Sequence, residues 1–114
     1  MTGQRLQDMI PSPSHKKSDV KEFTSWELAD ADSPKWPENV YIMVTGEHWG
    51  CPPCVREGPL FKAIKTVTPK VMVHISDRVA SDWNHYNIPI KGVPCYIQKT
   101  GRTFSVLSGI SEVR

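Results

Sequence analysis

Cys51-Pro52-Pro53-Cys54 sets two thiols three positions apart, a spacing that suits a redox pair or half of a metal's ligand set. Thiol–disulfide exchange needs a thiolate, and a free cysteine near neutral pH is mostly protonated. A helix N-terminus shifts that balance, because its unpaired N–H groups and the positive end of its dipole stabilise an anionic sulfur. The residues that follow predict such a helix from Cys54 to about Thr66, with Val55, Leu60, Phe61, Ile64 and Val67 as its apolar stripe. Pro53 suits the first turn, where a missing N–H is harmless, and Pro59 is expected to kink the helix further in.

A third thiol, Cys95, stands far from the pair. With Cys51, Cys54 and His48 it would complete a Cys₃His set suited to zinc. The commoner role for a cysteine in a strand is that of a small apolar residue, and no metal is expected.

These residues need elements to hold them. Val40-Tyr41-Ile42-Met43-Val44 is a continuous apolar run rich in β-branched and aromatic residues, which predicts a strand buried on both faces. Val71-Met72-Val73-His74-Ile75 predicts a second strand, and Gly46 to Gly50 a turn leading from the first strand into the cysteine pair. Phe23, Trp26 and Leu28 anchor a short element whose type, strand or helix, their pattern leaves open. Ser33 to Pro37 is a turn, since each proline disfavours helix at the residue before it. Ser81 to Asn87 fits a short helix or turn. Residues 93–98 and 103–107 flank Lys99-Thr100-Gly101-Arg102, a hairpin signal.

The chain of 114 residues allows one domain with a real core, at residues 20–114. Residues 1–19 combine prolines, serines and charge without apolar periodicity, and are expected to form a flexible arm. Net charge is +2, which makes no global case for nucleic acid. Residues 1–40 carry five basic and seven acidic side chains and the remainder nine and five, so the body is mildly basic. Three cysteines do not make a disulfide framework, the first residues lack the apolar stretch of a signal peptide, and no segment approaches transmembrane length. A cytoplasmic setting without membrane contact is expected.

Taken together, these features resemble the thioredoxin and glutaredoxin family over roughly Val20 to Arg114. An apolar strand runs into the CxxC through a loop carrying Trp49, and Pro59 falls five residues after Cys54. Tyr86-Asn87-Ile88 and Lys91-Gly92-Val93-Pro94 look like the family's segment that ends in a cis-proline. Lys99-Thr100-Gly101 and Gly109 look like its terminal hairpin and glycine. The resemblance implies an α/β thioredoxin fold: a central mixed β-sheet with flanking helices, its C-terminal helix missing here.

It also implies roles. Cys51 would be the exposed nucleophile, and Cys54 the shielded thiol that resolves a mixed disulfide. Trp49, Val93 and Pro94 would form the wall against which a protein disulfide substrate lies, the Val93 backbone pairing with its extended chain. No cofactor is implied beyond the redox-active disulfide, and electrons would come from a reductase or from glutathione.

Departures from the family pattern shape further expectations. Gly50 stands where the family commonly has tryptophan, and Cys95 where threonine commonly follows the cis-proline. Pro52 and Pro53 remove N–H donors that could stabilise a thiolate, so the potential should differ from that of the family's usual CGPC pair. Val44 and Thr45 occupy the place of a buried aspartate, leaving Glu47 or His48 as substitutes from the preceding loop. The missing helix should expose apolar surface unless the arm or a docking partner covers it. The alternative reading is therefore a non-catalytic binding or structural subunit of a larger assembly.

Overall fold

The computed structural model describes residues 20–114, and the expected arm at residues 1–19 lies outside the described residues. Its strands are β1 (Val20–Phe23), β2 (Asn39–Thr45), β3 (Lys70–His74), β4 (Asn84–His85), β5 (Ile88–Pro89), β6 (Cys95–Thr100) and β7 (Thr103–Val106). Its helices are α1 (Trp26–Asp32) and α2 (Pro52–Ala63). Five strands form one mixed sheet in the order β1-β3-β2-β6-β7, and β4 pairs with β5 in a separate ladder. β1 and β2 both run parallel to β3, whereas β6 runs antiparallel to β2 and to β7.

The apolar run that predicted a doubly buried strand is the centre of this sheet. Alternation along β2 sends Val40, Ile42 and Val44 to one face and Tyr41 and Met43 to the other. Trp26 and Ala29 of α1 close the first face over Val71, Val73 and Ile97. Phe61 of α2 closes the second, over Met72 and Tyr96. The fold is thus α/β, with a helix on each side of a five-stranded mixed sheet.

The element left open by its pattern is both a strand and a helix. Ser25 separates them, accepting the Leu28 N–H with its hydroxyl as the N-cap of α1. The apolar stripe expected along α2 is corrected: Phe61 is buried, but Val55, Leu60 and Val67 are among the most exposed apolar residues. The helix also stops at Ala63, before Thr66. The physical reason is Lys70, whose buried ammonium takes the carbonyls of Phe61, Lys62 and Ile64 and closes the last turn there.

Ser81 to Asn87, expected to be a short helix or turn, holds the end of a short 3₁₀ helix and a hairpin turn. A 3₁₀ turn, Ala80–Trp83, leads into the β4–β5 hairpin, whose two turn residues, Tyr86 and Asn87, both have positive φ. The Tyr86 hydroxyl donates to Asp30 of α1 at 2.5 Å, and its ring stacks on Phe104 at 4.1 Å. Those tertiary contacts hold a conformation that a non-glycine residue rarely adopts.

No α-helix follows β7 among the described residues, where the chain continues into a 3₁₀ turn, Ile110–Glu112. This tail adds to the core on the α2 side of the sheet, because Val113 is buried against the cluster of Phe61, Met43 and Tyr96. No described helix is long and apolar enough to cross a membrane.

Candidate functional site

β2 ends at Thr45, and the chain turns through a 3₁₀ segment, Glu47–Trp49, into α2. Gly50 makes the junction with φ 81°, a left-handed conformation that glycine adopts without strain, which accounts for a glycine directly before Cys51. Cys51 is the N-cap of α2, and Pro52 and Pro53 fill its first two positions. Neither proline carries an N–H, so the first turn offers an anion at Cys51 fewer donors than an ordinary helix start.

The sulfurs of Cys51 and Cys54 are paired at disulfide distance, with their Cα atoms 5.2 Å apart. The Gly46 N–H donates to Cys54 Sγ at 3.2 Å, so a loop amide, rather than a first-turn amide, serves a sulfur. Cys51 Sγ lies 3.7 Å from the Val93 carbonyl oxygen, within reach of a donated S–H when the pair is reduced. The Val93–Pro94 peptide is cis, and it presents that carbonyl to the cysteine pair. Cys51, expected to be exposed, is 6% exposed. Its bond to Cys54, which is wholly buried, and the Val93 carbonyl beside it account for the burial.

Trp49 is 37% exposed, and its indole N–H donates to the Ile75 carbonyl at 2.8 Å. Trp83 does the same to the next carbonyl, Ser76, also at 2.8 Å, and the two ring centroids are 6.2 Å apart. The chain at the end of β3 therefore carries a two-tryptophan shelf, Trp49 and Trp83. Gly46 makes room for it. A Cβ there would meet the Trp49 ring, with Cε2 at 2.5 Å. Gly46→Ala is expected to displace the indole and destabilise the fold by about 1–3 kcal/mol. Urea denaturation followed by tryptophan emission measures it, and an unchanged midpoint and emission maximum would refute the close approach.

Glu47 and His48 do not occupy equivalent places. The Glu47 carboxylate lies over Gly58 of α2, one turn beyond Cys54, in space that a Cβ would fill. The His48 ring stacks on His74, with centroids 3.8 Å apart and planes 5° from parallel. Cys95 is not brought into a metal site. It packs against the cluster under α1, on the sheet face opposite Tyr96, and burial pushes its thiol pKa up. Among the described residues no group of three or more His, Cys, Asp or Glu side chains could hold a metal ion.

Beside Pro94 a cavity of about 520 Å³ opens between the loop at Lys91, Glu57 of α2 and the chain after β7. Tyr96 lines it, with its hydroxyl donating to Glu57 at 2.6 Å. Burial and the Glu57 carboxylate both push that phenol far above its ordinary pKa. No protein-family model matches this chain, and no curated protein matches it either.

Proposed function

We propose that this protein is a thiol–disulfide oxidoreductase of thioredoxin type, acting on protein disulfides through Cys51 and Cys54. One observation carries the reading: the two sulfurs are paired at the N-terminus of α2, directly against the cis Val93–Pro94 peptide. The sheet order and the two flanking helices are compatible with a thioredoxin fold, to which the sequence motifs point.

In the reductive direction the Cys51 thiolate attacks one sulfur of a substrate disulfide. That S–S bond breaks, the other substrate sulfur leaves as thiolate, and a mixed disulfide forms. The Cys54 thiolate then attacks Cys51 Sγ, releasing the second substrate thiol and leaving the Cys51–Cys54 disulfide. Two electrons pass to the substrate, and a reductase or glutathione restores the dithiol. An extended substrate chain would lie along Val93, with Trp49 as its apolar contact.

The test is insulin-disulfide reduction with dithiothreitol as donor, comparing the native chain with Cys51→Ser. Rapid reduction lost in the variant is the expected result. A native rate equal to the dithiothreitol background would overturn the reading.

A second reading, a non-catalytic subunit docked in a larger assembly, draws on Leu60, 57% exposed on α2 beside an open cleft bordered by Ile110. A monomer that binds no hydrophobic dye counts against it.

A further inference from the structure

His74 is buried at the end of β3, and its Nδ1 is the one buried side-chain nitrogen or oxygen without a partner among the described residues. Its Nε2 lies 2.9 Å from Glu22 Oε1 of β1, and the other Glu22 oxygen lies 3.0 Å from Lys62 Nζ of α2. Burial disfavours the Glu22 anion, but the hydrogen bonds from His74 and Lys62 together outweigh it and hold this carboxyl below its ordinary pKa. Thr45, paired with His74 in the β2–β3 register, adds no charge. One face of the His74 ring is covered by His48 from the loop, and the neighbouring Glu47 carboxylate is turned to Gly58. Glu22 is the carboxylate placed to face a charge on the His74 ring. A second charge, on His48, would stand against it ring to ring, with no anion of its own.

We propose that the His48–His74 stack is an acid-sensitive latch on the loop that carries Cys51, in which a second proton drives His48 off His74. His48 belongs to the Glu47–Trp49 turn, and that turn is tied to both cysteines through one residue. The Gly46 carbonyl accepts the N–H groups of Trp49 at 3.1 Å and Cys51 at 3.2 Å, while the Gly46 N–H donates to Cys54 Sγ. Moving His48 therefore disturbs the position of Cys51 and the donor to Cys54 together. Acid loosens the loop and opens the buried disulfide to attack, in the manner of other histidine switches. The consequence for catalysis rests on the oxidoreductase reading, whereas the latch itself does not.

The experiment measures the reduction rate of the oxidised protein by a water-soluble phosphine, as the ratio of native to His48→Phe at each pH. The ratio cancels the pH dependence of the reagent. Phenylalanine keeps a flat ring on His74 and takes no proton. The expected ratio is close to unity near pH 8 and about threefold or more near pH 5. His48→Ala, which has no stack to lose, is expected to be fast at both. The Gly46 amide resonance should move with acid in the native protein and stay fixed in His48→Phe. A flat ratio, or the same acid acceleration in His48→Phe, overturns the latch. Insulin reduction is scored separately, so an active protein with a flat ratio sinks the latch alone. An inactive protein with the expected ratio sinks the oxidoreductase reading alone.

Discussion

Cys54→Ser is expected to arrest the proposed reaction as a stoichiometric covalent adduct between Cys51 and its substrate. In the native protein the second thiol lies three residues away, its Cα 5.2 Å from that of Cys51. Its attack is intramolecular, and groups held so well can reach effective molarities on the order of 10⁵ M or more. Free thiols at millimolar concentration do not compete with that, so removing Cys54 should prolong the mixed disulfide by several orders of magnitude. Serine is close in size to cysteine and is no nucleophile towards disulfides at neutral pH. Non-reducing electrophoresis and intact mass after mixing with a disulfide-bonded peptide read the adduct. The mirror variant, Cys51→Ser, should form none, because Cys54 is fully buried beneath the loop amide of Gly46. Equal trapping by both variants would overturn the assignment of Cys51 as the attacking residue.

Lys70→Met is the substitution expected to cost most stability. Lys70 is 2% exposed, and its ammonium donates to Phe61 O at 2.8 Å, to Lys62 O at 2.9 Å and to Ile64 O. It serves as the C-terminal cap of α2 and meets the negative end of that helix. Methionine preserves much of the aliphatic stem and removes every donor. Carbonyls left without partners in a buried place should cost about 3 kcal/mol, against about 1 kcal/mol for an ordinary exposed pair. Urea denaturation gives the difference directly, and a loss below about 1 kcal/mol would show that solvent replaces the ammonium easily.

Burial lowers the Lys70 pKa from its ordinary 10.5. The unfolded chain therefore holds this proton more tightly, so Lys70 makes native stability rise with pH from the lowered value up to about 10.5. Tyr86 and Tyr96 act in the opposite sense. Burial and a neighbouring carboxylate raise their folded pKa values, so their contribution is present below the unfolded phenol's titration and is lost above it. The difference between native protein and Lys70→Met isolates the lysine. It should widen as pH rises towards 10.5, and a constant difference would refute the burial of a charged group.

Much of the sheet was legible in the chain. The β2 run and the β3 run are apolar on both faces, and only the centre of a doubly covered sheet accommodates such strands. The hairpin from β6 to β7 was legible from Gly101, whose φ of 61° is what its turn requires. Helix α2 was legible in its start and misjudged in its face and its end. Counting apolar residues at helical spacing cannot show that, of the expected stripe, Phe61 is the fully buried member while Leu60 and Val55 face outward. Nor does spacing show that a lysine from the next strand closes the helix at Ala63.

The cysteine pair and its helix were set by local sequence, because a CxxC, a first-turn proline and an apolar strand act within a few residues of one another, whereas Val93–Pro94 meets Cys51 from 42 residues away. Other contacts between distant segments were not set locally either. Glu22, His74 and His48 belong to β1, β3 and a loop, and parallel pairing of β1 with β3 together with the turn at Gly46 brings them into one cluster. Cys95 went to the core under α1 rather than to the other thiols because strand alternation had already given the opposite face to Tyr96. A sequence specifies what each residue can do; the register of the sheet and the path of the connecting loops decide which of those residues meet.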